Sequence, residues 1–150
     1  MDKIDRAIIF HLKSDARISY KDLGEKVFLS ANAVAERVRQ LVSKKVVLGF
    51  STDVSLSALG LQVQAIVDVK LSKGITSACF EAVIASIPGI VEATLLTGNT
   101  DYMLKVACVD QADLIRLIEN VRERAGVLDT HSRLILKQIA VQDPVRCSAA

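Results

Sequence analysis

The sequence contains no tryptophan, and aromatic residues make up only 4% of its 150 residues. Its seven glycines and two prolines are too few for a collagen-like or linker-like polymer. A hydrophobic share of 51% beside 24% charged residues predicts a folded protein with an aliphatic core. The scarcity of aromatic rings argues against a groove for single-stranded nucleic acid, which uses such rings as stacking platforms.

Long apolar runs and paired cysteine motifs are also missing. No run approaches the roughly 18 apolar residues of a membrane span, and the charged N-terminus lacks the apolar core of a secretory signal. We therefore expect a cytoplasmic protein with no membrane partner. Because no export signal is present, we expect Cys79, Cys108 and Cys147 to be reduced thiols. The cysteines also lack C-x-x-C spacing, and we expect Cys79 and Cys108 to pack as small hydrophobic side chains.

Charge and hydrophobic period both change near Phe50. The first 50 residues hold ten Lys and Arg against six Asp and Glu, which fits either a polyanionic partner or a solvated surface. Apolar residues recur at helical spacing up to Val42 and predict three short helices, whereas strands and helices alternate after Phe50. The expected parts are a first domain at residues 1–50, a connection at 51–61, a second domain at 62–142 and a tail at 143–150.

The second part has the predicted order β-α-β-β-α-β. The predicted elements are a strand at 62–71, a helix at 75–87, strands at 90–96 and 102–109, a helix at 111–125 and a last strand at 128–141. This order is typical of a ferredoxin-like domain, in which both helices cover one face of a four-stranded antiparallel sheet. The other face needs a cover, so we expect a homodimer within an α+β fold.

The third predicted helix has a polar outer face. Its apolar stripe contains Val34, Val38, Leu41 and Val42, and we expect the polar residues to lie on the opposite arc. Asn and Gln can pair with adenine, Arg with guanine, and Arg or Lys with phosphates. A short helix and a tight connection precede it, as in a helix-turn-helix, although a solvated helix gives the same pattern.

Several sequence blocks in both parts follow a known pattern. They are IDR at 4–6, DARIS at 15–19, LGEKV at 23–27, LS at 29–30, VAERVRQL at 34–41, PGIV at 88–91, TGNTDYMLKV at 97–106 and THS at 130–132. Together they resemble the Lrp/AsnC (leucine-responsive, feast/famine) regulators over residues 2–141. The resemblance implies a transcriptional regulator with a winged helix-turn-helix that binds double-stranded DNA. It also implies a second domain that dimerises, assembles into octamer-like rings and binds small molecules, commonly amino acids, with no cofactor.

The resemblance also suggests two sets of site residues. The expected DNA-binding residues are Ser30, Asn32, Ala33, Arg37, Arg39, Gln40 and Lys44. The expected effector-binding residues are Gly98, Asn99, Thr100, Asp101 and Tyr102, with Thr130 and Ser132. Backbone N–H groups of Gly98 and Asn99 can face a carboxylate, and Asp101 can accept from an ammonium group. An ordinary strand connection uses the same residue types, so both interpretations stay open.

Three residues depart from the pattern of the family. Phe28 and Lys45 stand where glycine is usual, and Leu48 replaces a commonly polar or basic wing position. Where a positive φ is needed, a Cβ costs roughly 1 kcal/mol, so the turns can be reshaped. These departures motivate the alternative of a metabolite-binding oligomer with weakened DNA binding.

A small enzyme on the same scaffold is the remaining alternative. It needs an acid, base or nucleophile constellation, and the sequence offers no such pattern. His11 and His131 fall in different predicted domains and have no third partner, so we expect neither a metal site nor a catalytic triad. We therefore expect a protein that is not an enzyme.

Overall fold

The computed structural model describes residues 1–139, which divide into two compact units. The first unit comprises residues 1–53 and the second comprises residues 54–139. This division lies close to the boundary expected near Phe50. The expected tail, the last residues of the expected second domain and Cys147 lie outside the described residues.

Three helices form the first unit. They are α1 (Lys3–Ser14), α2 (Tyr20–Val27) and α3 (Ala31–Ser43). Each begins after a polar residue whose side chain accepts a backbone N–H of the first turn: Asp2, Ser19 and Ser30. At α1 the side chains of Asp2 and Asp5 accept each other's backbone N–H, which makes a reciprocal capping box.

The core of the first unit is aliphatic, as expected. Its buried members are Ile8, Leu12, Leu23, Val27, Val34, Val38 and Leu41. Tyr20 and Val42 match the predicted helical spacing but are more than two-fifths exposed, because Tyr20 is the first residue of α2 and Val42 lies at the edge of its apolar stripe. Residues 44–62 form no strand, so an irregular segment occupies the position where the resemblance implies a wing.

The second unit contains the predicted four-stranded antiparallel sheet. Its elements are β1 (Val63–Leu71), α4 (Ser77–Ile84), β2 (Ile90–Leu95), β3 (Tyr102–Cys108), α5 (Gln111–Arg124) and β4 (Val127–Leu134). The strand order is β2-β3-β1-β4, and every neighbouring pair is antiparallel. This topology confirms the predicted ferredoxin-like α+β domain. The last strand ends at Leu134, earlier than predicted.

Both helices pack on one face of this sheet. Ala65, Val67 and Val69 of β1 alternate into a single buried cluster that also contains Phe80 of α4 and Leu117 of α5. The opposite face is mixed in character rather than uniformly apolar. Its residues on β1, β3 and β4 include Ile66, Asp68, Lys70, Met103, Lys105, His131 and Arg133.

The two described cysteines differ in environment. Cys108 is buried, as predicted, and burial raises the pKa of its thiol. The prediction for Cys79 is wrong, because this residue is exposed near the start of α4, where apolar spacing alone does not distinguish a buried from a surface position. Among residues 1–139, no helix has the length and apolar character needed to cross a membrane.

Candidate nucleic-acid interface and effector loop

A close approach of backbone segments fixes the connection between α2 and α3. A Cβ built on Gly24 lies 2.4 Å from the carbonyl oxygen of Leu29, so only glycine fits there without a shift. The Leu29 N–H donates to the Gly24 oxygen at 2.9 Å. At the next turn, Ser30 Oγ accepts the Ala33 N–H at 3.2 Å and opens α3. This arrangement gives the short, rigid connection of a helix-turn-helix.

Phe28 and Lys45 both adopt the left-handed conformation that glycine favours, with φ values of 57° and 55°. Phe28 ends α2, and its N–H donates to the Gly24 oxygen. The turns therefore keep glycine-type backbone geometry, and each Cβ carries a cost of roughly 1 kcal/mol. The concern that these substitutions reshape the turns is not supported by this geometry.

The outer face of α3 holds most of the expected DNA-binding side chains. Asn32, Arg39, Gln40 and Lys44 are exposed, while Ala33 is half-buried. Glu36 accepts hydrogen bonds from Arg39 and from Gln40, whose Nε2 lies 3.3 Å from the Glu36 carboxylate. Glu36 thus orders two neighbouring side chains on a surface whose polar groups remain exposed.

Arg37 differs from the expectation for the outer arc. Its Nη1 donates to Asp2 Oδ2 and to Asp5 Oδ1, each at 2.7 Å, and its side chain is only 31% exposed. These bonds raise the pKa of Arg37. The pKa of Asp2 is lowered by the Asp5 backbone N–H and by Arg37. Arg37 therefore ties the middle of α3 to the capping box of α1.

Sequence reasoning missed this ion-pair cluster because its partners lie more than 30 residues apart. One available signal was the helical angle. At about 100° per residue, Arg37 falls beside the apolar stripe that contains Val34 and Leu41 rather than opposite to it. Nothing local in the sequence indicates that Asp2 and Asp5 are the residues it meets.

The expected effector loop is anchored to the end of β1 through Asp101. Asp101 Oδ2 accepts the Leu71 N–H at 2.8 Å, and Oδ1 accepts from Lys70 Nζ at 3.1 Å. These two donors, the Leu71 amide first, lower the pKa of Asp101. The Asp101 N–H in turn donates to the Val69 oxygen at 2.8 Å. The carboxylate expected to receive an ammonium group is already bonded within its own domain.

The other loop residues differ in exposure. Gly98, with φ of 121°, and Asn99 are exposed, and Thr100 is half-buried. Tyr102 is buried, and its ring packs against Phe80 with centroids 4.6 Å apart. Its hydroxyl donates to Glu81 Oε1 at 2.6 Å. Burial, followed by the Glu81 contact, raises the pKa of Tyr102, which belongs to the core of this chain.

Thr130 and Ser132 lie on β4, across β1 from the loop. Thr130 pairs with Val69, which pairs on its other side with Tyr102, so Thr130 and Tyr102 are level with each other and two strands apart. Arg122 Nε donates to Thr130 Oγ1 at 2.8 Å. The expected effector residues thus form two groups near one end of the sheet, with β1 between them.

The tight connection before α3, its polar face and the ferredoxin-like second unit define a class: helix-turn-helix DNA-binding proteins that carry a separate domain. The profile of the AsnC-type helix-turn-helix domain matches residues 1–42, and that of the Lrp/AsnC ligand binding domain matches residues 64–145. The chain belongs to the Lrp/AsnC family of DNA-binding transcriptional regulators and contains the ligand-binding domain of that family. The resemblance inferred from the sequence is confirmed.

Characterised relatives match along nearly the whole chain. The HTH-type transcriptional regulator Rv2324 of Mycobacterium tuberculosis is 32% identical over 144 residues, covering 96% of this chain and 97% of the relative. The HTH-type transcriptional regulator LrpC of Bacillus subtilis is 32% identical over 140 residues, covering 93% and 94%. These relatives are transcriptional regulators.

Solved structures show the same architecture. B. subtilis LrpC superposes with a TM-score of 0.82 at 30% identity, covering 95% of this chain and 99% of that one. The feast or famine regulatory protein Rv3291c of M. tuberculosis, complexed with L-methionine, gives 0.88 at 28% identity, covering 94% and 95%. The regulator NMB0573 of Neisseria meningitidis, in complex with L-Met, gives 0.85 at 27% identity, covering 94% and 93%.

Proposed function

We propose that this regulator reads a specific DNA sequence with the outer face of α3. In a twofold dimer, two such helices enter successive major grooves, so the half-sites lie about 10 bp apart or a multiple of that distance. The contacts are assigned to Ser30, Asn32, Ala33, Arg39, Gln40 and Lys44. Arg37 acts differently, by holding α3 against α1 through Asp2 and Asp5.

The observation that carries this proposal is that α3 has an exposed polar face and that contacts with the rest of the first unit fix the position of this helix. The Ser30 cap, the Gly24 approach and the Arg37 bridge fix α3 at its start and its middle. Side chains mounted on a rigid helix lose less conformational entropy on binding than side chains on a mobile loop. The preserved turn geometry removes the main structural reason for the alternative of a weakened DNA-binding unit.

We assign the second domain to binding an amino acid and to self-association in the cytoplasm. Two proteins of similar structure are complexed with L-methionine. In this chain the exposed turn at Gly98 and Asn99 offers backbone N–H groups suited to a carboxylate. The sheet face not covered by α4 and α5 offers a surface for a second copy, and further assembly gives an octamer-like ring.

Coupling between effector and DNA requires that the amino acid bind two assembly states with different affinity. The test uses purified full-length protein and a panel of amino acids that begins with L-methionine. Sedimentation velocity reports the size of the assembly, and fluorescence anisotropy reports affinity for a selected DNA site. We expect at least one amino acid to shift both quantities. An amino acid that binds and shifts neither would contradict the assembly mechanism, and a panel with no binder would contradict the effector class.

A further inference from the structure

Phe28 is the exposed aromatic residue next to the proposed recognition helix. The residue is 94% exposed, and it lies two residues before Ser30, the N-cap of α3. Its backbone has a φ of 57°, where a Cβ is unfavourable. An exposed ring gains little from burial, and the left-handed backbone opposes any residue with a side chain. Folding therefore does not explain phenylalanine here, and strain of this kind is often kept at functional positions.

The turn holds this ring in a fixed position. The N–H groups of Phe28 and Leu29 both donate to the Gly24 oxygen. Leu29 packs against the aliphatic core of the first unit, while Phe28 points to solvent. The close approach at Gly24 leaves no room for the turn to move inward. The ring is thus held in solvent at the N-terminal end of α3, and the backbone of the turn needs no further ordering before the ring makes a contact.

We propose that Phe28 contacts the methyl group of a thymine at one edge of each half-site and so adds to sequence specificity. The inference rests on the proposed function of α3. The N-terminal residues of a recognition helix contact base edges in the major groove, and a phenylalanine ring suits the 5-methyl group that thymine alone presents there. Unlike the polar residues of α3, Phe28 recognises this group by apolar contact, which depends little on salt.

Deoxyuridine lacks only this methyl group, so it tests the contact directly. Each thymine of a selected site is replaced in turn by deoxyuridine, and affinity is measured for the wild-type protein and for Phe28→Gly. We expect one position per half-site at which the wild type weakens about fourfold, the value for one buried methyl group. Phe28→Gly binds the unmodified site about sixteenfold more weakly, because the dimer loses the contact in both half-sites, and it is insensitive to deoxyuridine at that position.

Two further variants separate the ring from the backbone. Phe28→Ala removes the ring and keeps a Cβ, so it shows the same DNA defect as Phe28→Gly. Phe28→Gly and Lys45→Gly each give a left-handed position the residue that favours it, so we expect the Tm of both variants to rise. Lys45→Gly keeps the wild-type response to deoxyuridine. A higher Tm together with weaker binding excludes misfolding as the cause of the Phe28→Gly defect.

The outcomes distinguish the contact proposed for Phe28 from the proposed reading of DNA by α3. If a DNA site is selected but Phe28→Gly keeps the wild-type affinity and deoxyuridine profile, the contact proposed for Phe28 is refuted while DNA reading by α3 stands. If Phe28→Gly changes the sedimentation of DNA-free protein, the ring belongs to a protein interface and the proposal fails. If no DNA site is selected at all, both proposals fail.

Discussion

At the scale of single residues, two arginines on α3 have different surroundings. Arg37 is held by two carboxylates at the start of α1, whereas Arg39 is 72% exposed and contacts only Glu36 among the bonds described above. An arginine that bridges two helices maintains the position of the outer face of α3. An exposed arginine on the same helix is available for a phosphate or a base edge.

Replacing each arginine with methionine should separate these two roles. Arg37→Met should lower the Tm, because two hydrogen-bonded ion pairs are lost, and leave the salt slope of DNA binding unchanged. Arg39→Met should leave the Tm unchanged and weaken DNA binding, with the slope of log K against log salt reduced by about one where the contact is a phosphate. Thermal unfolding and salt titration of affinity measure both effects. A normal Tm with a reduced slope for Arg37→Met would show that Arg37 faces DNA.

Asp101 should make stability depend on acid pH. Its pKa is lowered from the ordinary value of 3.8 in the folded protein by the Leu71 amide and Lys70. Its contribution to stability is therefore complete above the unfolded value and is lost as the pH falls through the folded value. Asp101→Asn should have a lower Tm than the wild type at pH 7, and the difference should shrink below about pH 3.8.

The control for this series is Glu119→Gln, which removes one negative charge from an exposed position of α5. Its Tm should follow the wild-type curve across the same pH range. A constant difference between Asp101→Asn and the wild type from pH 7 to pH 2.5 would contradict the assigned role of the carboxylate.

At the scale of elements, hydrophobic period predicted most of the fold. Alternation at Ala65, Val67 and Val69 predicts a strand with one buried face, and the structure confirms it. The period does not say where a stripe ends, so Val42 was expected to be buried but is exposed. Contacts between distant residues, such as the Asp101 carboxylate with Leu71, leave no local signal. Family resemblance could thus propose the site residues, while their bonding could not be predicted.

The turn between α2 and α3 provides a test at this scale. Gly24→Ala places a Cβ 2.4 Å from the Leu29 oxygen, so one of the two segments must move. We expect a loss of about 1 to 3 kcal/mol in the free energy of unfolding, typical of overpacking, together with weaker DNA binding. Urea unfolding and anisotropy measure the two quantities.

Gly49→Ala is the matched control, because nothing lies within 4 Å of the Cβ it adds. Its free energy of unfolding should stay within about 0.5 kcal/mol of the wild type. Equal stability of the two variants would mean that the α2–α3 connection tolerates movement. This result would contradict the fixed position of α3 described above.

At the scale of the whole molecule, the two units have separate hydrophobic cores, and the positive charge is unevenly distributed along the chain. Each has its own buried cluster of aliphatic residues. The excess of Lys and Arg falls in the first 50 residues, as suits contact with a polyanion. The face of the second sheet that lacks helices includes the Asp68–Arg133 ion pair, at 2.6 Å. A dimer formed on this face therefore has a more polar interface than composition alone predicts.

The most direct test of DNA reading by α3 is selection of genomic DNA fragments by the full-length protein at two salt concentrations. The wild type and Arg39→Met are compared in parallel. We predict enrichment of a pseudo-palindromic site with half-sites about 10 bp apart or a multiple of that, with affinity that falls steeply with salt and is reduced in Arg39→Met. Absence of any enriched fragment at low salt, or equal enrichment by Arg39→Met, would contradict the assignment of α3 as the DNA-reading helix.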